Sequence, residues 1–194
     1  MRRCGGSPRR KPRGYTIVEV IMALAIFTIS AAGVVSMQKA TLVGNMKARN
    51  LATASHISQA WMSRLRVDAQ QWTVANGLGE TTWLTGANDA NAGLWFRPDI
   101  SAMMATSPEA DIRGVDVFDG QRVGFCTNLR LTRVDTDMVR AEVRVMWPRS
   151  HGGGTLAGQP LCGTNQAFLQ QVGGLHQDRY RFVYTTSTVF RNGG

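Results

Sequence analysis

The sequence predicts an α+β fold in which one long N-terminal helix packs on an antiparallel β-sheet. Three observations predict it. From Tyr15 to about Gln70 there is no proline and apolar residues recur at helical spacing. After Gly114 the apolar period falls to two. The segments between and within these stretches are too rich in glycine, asparagine and threonine to form regular elements throughout.

The helix begins in a segment made for lipid. Tyr15 to Met37 is a run of 23 residues whose only charge is Glu19, and about 20 apolar residues cross a hydrocarbon core of about 30 Å. Residues 1–14 carry Arg2, Arg3, Arg9, Arg10, Lys11 and Arg13 and no acid. Such a cluster stays on the cytoplasmic side, which places the rest of the chain across the membrane. Glu19 needs a reason, because an ionisable group at mid-depth costs on the order of 2.5–3.5 kcal/mol.

The pattern continues past the membrane edge. From Gln38 to about Gln70, Leu42, Met46, Ala54, Ile57, Trp61 and Leu65 recur mostly at spacings of three or four, with Lys47, Arg49, Asn50, Arg64 and Arg66 largely elsewhere on the wheel. One continuous helix of over 50 residues follows, with residues 15–37 its transmembrane half and 38–72 its amphipathic half. The expected role of Met46, Trp61 and Leu65 is core packing.

Residues 73–113 read as a connecting region. It contains "GLGETTWLTGANDANAGLW" and shows weak periodicity. Trp83 and Trp95, with Trp72 just before, look exposed. Asn88, Asp89 and Asn91 lack the further acidic ligands of a calcium loop and read as a turn. Residues 114–194 hold the sheet. Val123, Phe125, Leu129 and Leu131 alternate with polar residues, "DTD" at 135–137 turns the chain, and Val139, Ala141, Val143, Val145 and Trp147 alternate with Arg140, Glu142, Arg144 and Met146. This is an antiparallel hairpin with one buried face. A last strand from about Tyr180 to Arg191 sets Phe182, Tyr184 and Phe190 on one side. Amphipathic helix and half-buried sheet each need a cover and supply it to each other.

Charge and cysteines narrow the function. The formal charge of +9 suggests nucleic acid, but six of the 22 basic residues lie in the first 14 positions. Without them 16 basic residues face 13 acidic ones, and no nucleic-acid-binding signature replaces the lost charge. Cys4 lies in the leader. That leaves Cys126 and Cys162, a disulfide in an oxidising compartment and free thiols in the cytosol.

The stretch "RGYTIVEVIMALAIF" resembles the processing segment of type IV prepilins and type II secretion pseudopilins: a basic leader ending in glycine, an aromatic, a hydroxyl residue, two aliphatics, a glutamate and a hydrophobic helix. The resemblance covers residues 9 to about 70. It implies that residues 1–14 are a leader, that prepilin peptidase cuts between Gly14 and Tyr15, and that Tyr15 becomes the N-methylated first residue. Glu19 is then the assembly glutamate, paired with the new α-amino group of a neighbouring subunit. A pilin-like fold with a C-terminal disulfide loop is also implied. Tyr15 stands where phenylalanine is more common, and Ser36 stands where major subunits commonly carry a helix-breaking proline.

Size, "EVIMALAIF" and "SQAWMSRLR" look most like PilV-type minor pilins and next most like the I- and J-type pseudopilins. The function so implied is that of a low-copy subunit at or near the tip of a type IV pilus, priming assembly and linking to a tip adhesin. The chain would sit in the inner membrane as a single-pass protein with its C-terminal domain in the periplasm, and reach the extracellular tip after assembly. Its expected partners are prepilin peptidase, other minor pilins, the major pilin and a tip adhesin, with no nucleic acid and no cofactor. The long 73–113 region favours the tip. A chain that retains its membrane glutamate sits below a capping subunit that lacks one.

Two rivals come from other classes. "ISAAG" offers Ser30 and Ala32 before a signal peptidase cut, which would release a soluble secreted domain. An enzyme is the other. His56, His151 and His176 show no ligand spacing, and no nucleophile elbow, phosphate loop or dinucleotide fingerprint is present, so neither a catalytic nor a metal site is expected.

Overall fold

The computed structural model describes residues 14–72, 92–99, 107–119, 122–149, 161–163 and 165–190. Residues 1–13 of the leader, Trp83, Asn88, Asp89, Asn91 and His151 fall outside these. The chain divides into two compact units, Met1–Lys47 and Ala48–Gly194.

Helix α1 runs unbroken over Ile17–Asp68, 52 residues, as its proline-free sequence requires. A 3-10 turn at Ala69–Gln71 ends it, and Trp72 leaves in extended conformation. The sheet holds β1 (Trp95–Phe96), β2 (Glu109–Ala110), β3 (Phe125–Arg133), β4 (Met138–Pro148) and β5 (Tyr180–Phe190). A second helix, α2, spans Gln166–Leu175. Strand order is β1-β3-β4-β5, with β2 also paired to β3, and all pairs are antiparallel. The β3–β4 turn sits at Asp135–Asp137 as expected, with the Met138 amide donating to the Asp135 carbonyl at 3.3 Å.

One sheet face meets α1. Ile57, Trp61 and Leu65 of the helix pack with Phe125, Leu129 and Leu131 of β3, the alternating valines of β4 and Val189 of β5. Each such buried side chain contributes about 1.5–3 kcal/mol. Two polar pairs sit among them: buried Ser58 accepts from the Thr185 hydroxyl at 2.9 Å, and buried Asp68 accepts from the Trp72 indole N–H at 2.6 Å. The helical contact is shorter than its sequence pattern. Burial begins at Ala54, whereas Leu42 and Met46 are exposed. The turn at 111–114 leans on the same helix, and Gly114 makes that possible. Its φ is +86°, and a Cβ there would lie 2.9 Å from Thr53 Cγ2. Beyond it, Asp116 accepts from Arg64 at 3.1 Å.

The opposite face corrects the expectation of a single buried face. Cys126, Asn128, Arg144 and Met146, placed outward by the alternation, are all buried. The covers are α2 and the Leu161–Cys162 segment, which pack Phe168, Leu169 and Val172 against Met146 and Tyr180. Asn165 caps α2, its side chain accepting from the Phe168 amide at 3.2 Å. Gln170 docks α2 to β1 by donating to the Trp95 carbonyl at 2.8 Å and accepting from the Trp95 amide at 3.2 Å.

At the centre of this face Arg144 donates to Asn128 Oδ1 at 3.0 Å and to the Leu169 carbonyl at 2.8 Å. Its guanidinium lies 4.3 Å from the Trp95 ring centroid, and that of Arg130 lies 4.6 Å from it. Burial pushes the Arg144 guanidinium down to about 10, with the neighbouring Tyr184 hydroxyl acting the other way. Gly173 leaves room for this cluster, since a Cβ there would sit 2.7 Å from the Tyr184 hydroxyl.

Three further differences concern elements. β1 and β2 fall inside 73–113, so part of that region belongs to the sheet. α2 is a helix in a stretch with no helical expectation. Trp72 and Trp95 are core residues, 1% and 6% exposed, not the exposed side chains expected. The Cys126–Cys162 disulfide is present, with Cα atoms 5.4 Å apart and a sequence separation of 36.

Candidate processing and assembly segment

The segment from Gly14 to Met37 is organised by the helix start. Gly14, Tyr15 and Thr16 precede α1, and Tyr15 is 84% exposed. Thr16 caps the helix: its Oγ1 accepts from the Glu19 amide at 3.3 Å, and its carbonyl accepts from the Val20 amide at 3.3 Å. Glu19 lies in the first turn, where the helix dipole favours a carboxylate by about 0.3–1 kcal/mol. Thr16 as a cap was missed in the sequence reading. The signal was Thr-x-x-Glu ahead of an apolar run, the pattern of a capping box.

The rest of the segment is prepared for an environment without water. The hydroxyls of Thr28, Ser30, Ser36 and Thr41 donate back to the carbonyls of Ala25, Ile26, Gly33 and Met37 at 2.8–2.9 Å. Each hydroxyl is thus satisfied within its own helix, as lipid demands. The apolar side chains of this stretch, Ile17, Ile21, Phe27 and Val35 among them, face outward. The helix contains a window of mean hydropathy 2.3 and is long and apolar enough to cross a membrane. Glu19 is the one acidic or basic residue between Gly14 and Met37.

A family description, the prokaryotic N-terminal methylation motif, matches residues 9–35. The matched segment is consistent with a type IV pilin-like prepilin. No curated protein and no solved structure matches the chain. The prepilin motif implies processing by a prepilin peptidase and assembly with other pilins. Together with the long helix, the antiparallel sheet and the disulfide, it makes the chain α+β and pilin-like.

Other residues weighed in the sequence lie elsewhere. His56 is exposed on α1, and His176 follows α2 with its ring stacked 6.0 Å from that of Phe168. Among the described residues no group of three or more histidine, cysteine and acidic side chains is gathered for a metal.

Proposed function

We propose that the chain is a structural, non-enzymatic subunit of a type IV pilus: a minor pilin cut between Gly14 and Tyr15, methylated at Tyr15 and assembled through Glu19. The observation that carries this reading is the isolation of Glu19 in a segment where the hydroxyls of Thr28, Ser30 and Ser36 bond back to their own helix. Cleavage creates an α-amino group on Tyr15, four residues before Glu19. Within one subunit the helix start already favours the carboxylate. In an assembly, the amine of a neighbour is the cation that a carboxylate at membrane depth lacks, and their attraction offsets desolvation only while both are present.

The rank of a low-copy subunit, which primes assembly near the tip, sits below a capping subunit and reaches a tip adhesin, extends the same reading. Two features support it: Glu19 itself, and an α1 that runs through Gly33 and Ser36 without a break. Burial of Trp72 and Trp95 removes the exposed aromatics from its support. A type II secretion pseudopilus would use the same segment. Intact mass of the membrane-extracted protein tests processing: a methylated start at Tyr15 is expected, and a start at Gly33 overturns the reading. Glu19→Ala should leave insertion and cleavage unchanged, yet lower recovery in sheared filaments or in the minor-pilin complex. Undiminished recovery would make Glu19 a bystander.

A further inference from the structure

The two edges of the sheet are built differently. On the β3 side the edge is closed by β1 and β2, two residues each, and short edge strands offer little to a passing chain. On the other side lies β5, eleven residues long, and among the described residues no strand pairs its outer side. Its register with β4 runs unbroken from Met138↔Phe190 to Pro148↔Tyr180, without a bulge. The strand reads YRFVYTTSTVF. It has no proline or glycine, one charge, and β-branched or aromatic residues at nearly every position. The devices that normally blunt an edge, such as lysines, proline, bulges or brevity, are missing here.

We propose that the outer edge of β5 takes up an extended segment of a different polypeptide, as a further antiparallel strand. The chemistry of the edge selects an extended backbone, because outward amides and carbonyls recurring every second residue are satisfied in full only by a chain of the same period. The side chains set its character. On the face away from α1, Tyr184 and Phe190 are 53% and 65% exposed, with Thr186 and Thr188 exposed between them. An incoming strand lays alternate side chains beside this row, so apolar residues at every second position suit it. On the α1 face Arg66 reaches Ser187 Oγ at 3.1 Å, and the charge of β5 itself is Arg181. An acidic residue on the incoming strand complements both.

A second copy fits poorly. Antiparallel pairing of β5 with its own equivalent, the stronger of the two ladder types, requires a two-fold axis perpendicular to the sheet. That operation reverses the direction of the helix stretch packed on the sheet, so the two chains would run into the pair from opposite ends. Single-pass chains inserted in one membrane with the same polarity cannot do so. This exclusion, unlike the docking itself, rests on the membrane-anchored reading.

The test places the photo-crosslinking residue p-benzoylphenylalanine at Thr186 and, separately, at Thr188 of the full chain in its native envelope, followed by mapping of the linked peptides. Both positions are exposed, and an oxidised Cys126–Cys162 bridge in each variant certifies the fold. The expected result is attachment from both positions to one segment of one other protein, with the two attachment sites two residues apart along it. Thr188→Lys should lower the yield from position 186 severalfold. Attachment to residues of the same chain, to β5 of a second copy, at sites three or four residues apart, or to nothing would overturn the proposal. The N-terminal mass from the same sample reads processing independently. A Tyr15 start without crosslinks removes the docking strand alone, and an unprocessed chain with the expected crosslinks removes the pilin reading alone.

Discussion

The two faces of one sheet are held by different physics. The α1 face is a mainly apolar seam in which a helical stripe meets alternating β-strand residues, with Ser58–Thr185 and Asp68–Trp72 as its polar pairs. The α2 face is a composite of a disulfide, a buried cation, a buried amide and a ten-residue helix that donates a side-chain amide to the backbone of β1. An apolar seam is non-directional and tolerates small shifts, since its energy follows area. A polar cluster is directional, and removing one member leaves the others buried and unsatisfied. The first face should therefore respond to loss of volume, the second to loss of a partner.

The largest effect is expected on the α1 face. Trp61→Ala removes the bulk of a side chain that is 1% exposed and should lower unfolding free energy by about 3–5 kcal/mol. Met46→Ala, on the same sequence stripe but exposed, should stay within about 0.5 kcal/mol. Denaturant titration of both full-length variants in detergent checks the pair, and equal losses would mean that the seam extends to Met46.

Next comes the bridge. Reducing Cys126–Cys162 should cost about 2–4 kcal/mol, and hydrogen exchange should show the loosening in α2 rather than in the α1 stretch 54–68. Uniform loosening would break the comparison.

Arg144→Met keeps much of the apolar stem but leaves Asn128 Oδ1 and the Leu169 carbonyl without their donor, an expected loss of about 1–3 kcal/mol. Pairing it with Asn128→Leu should restore part of that loss in the same titration. A double variant as unstable as the sum of the singles would show that Arg144 and Asn128 act independently.

The smallest effect is a pH dependence confined to the rim of the α2 face. Arg130 donates twice to Glu142, at 2.6 and 2.8 Å. That hydrogen bond, opposed by burial and aided by the charge of Arg130, holds the Glu142 carboxyl below its usual value of 4.5. A carboxyl depressed on folding contributes stability that is complete above the unfolded value and is lost as pH falls through the folded one. Acidification below about 4.5 should thus remove stability, at most about 1 kcal/mol for a partly solvated pair, and Glu142→Gln should abolish this part of the acid dependence. An unchanged acid limb in thermal unfolding would assign that limb to other carboxylates.

What the amino-acid order settles by itself is whatever repeats or stands in a fixed local pattern. The N-terminal motif is contiguous in sequence. Proline-free periodicity suffices for an unbroken α1, and the β3–β4 hairpin follows from period-two alternation around Asp135–Asp137. Each depends on neighbours within a few residues, or on one partner surface that asks for an apolar residue at every turn or second position. Only the tertiary structure decided the rest. Arg144 stands in the alternation as an outward polar residue and is buried because α2, more than 20 residues later, brings the Leu169 carbonyl over it. Gly173 and Gly174 weaken the helical signal of α2, whose place is set by Asn165, Gln170 and the surface beneath. β1 and β2, two residues each, are too short for any period to show. A face assembled from single contacts between distant segments leaves no repeat in the sequence, which is why the seam was legible and the cluster was not.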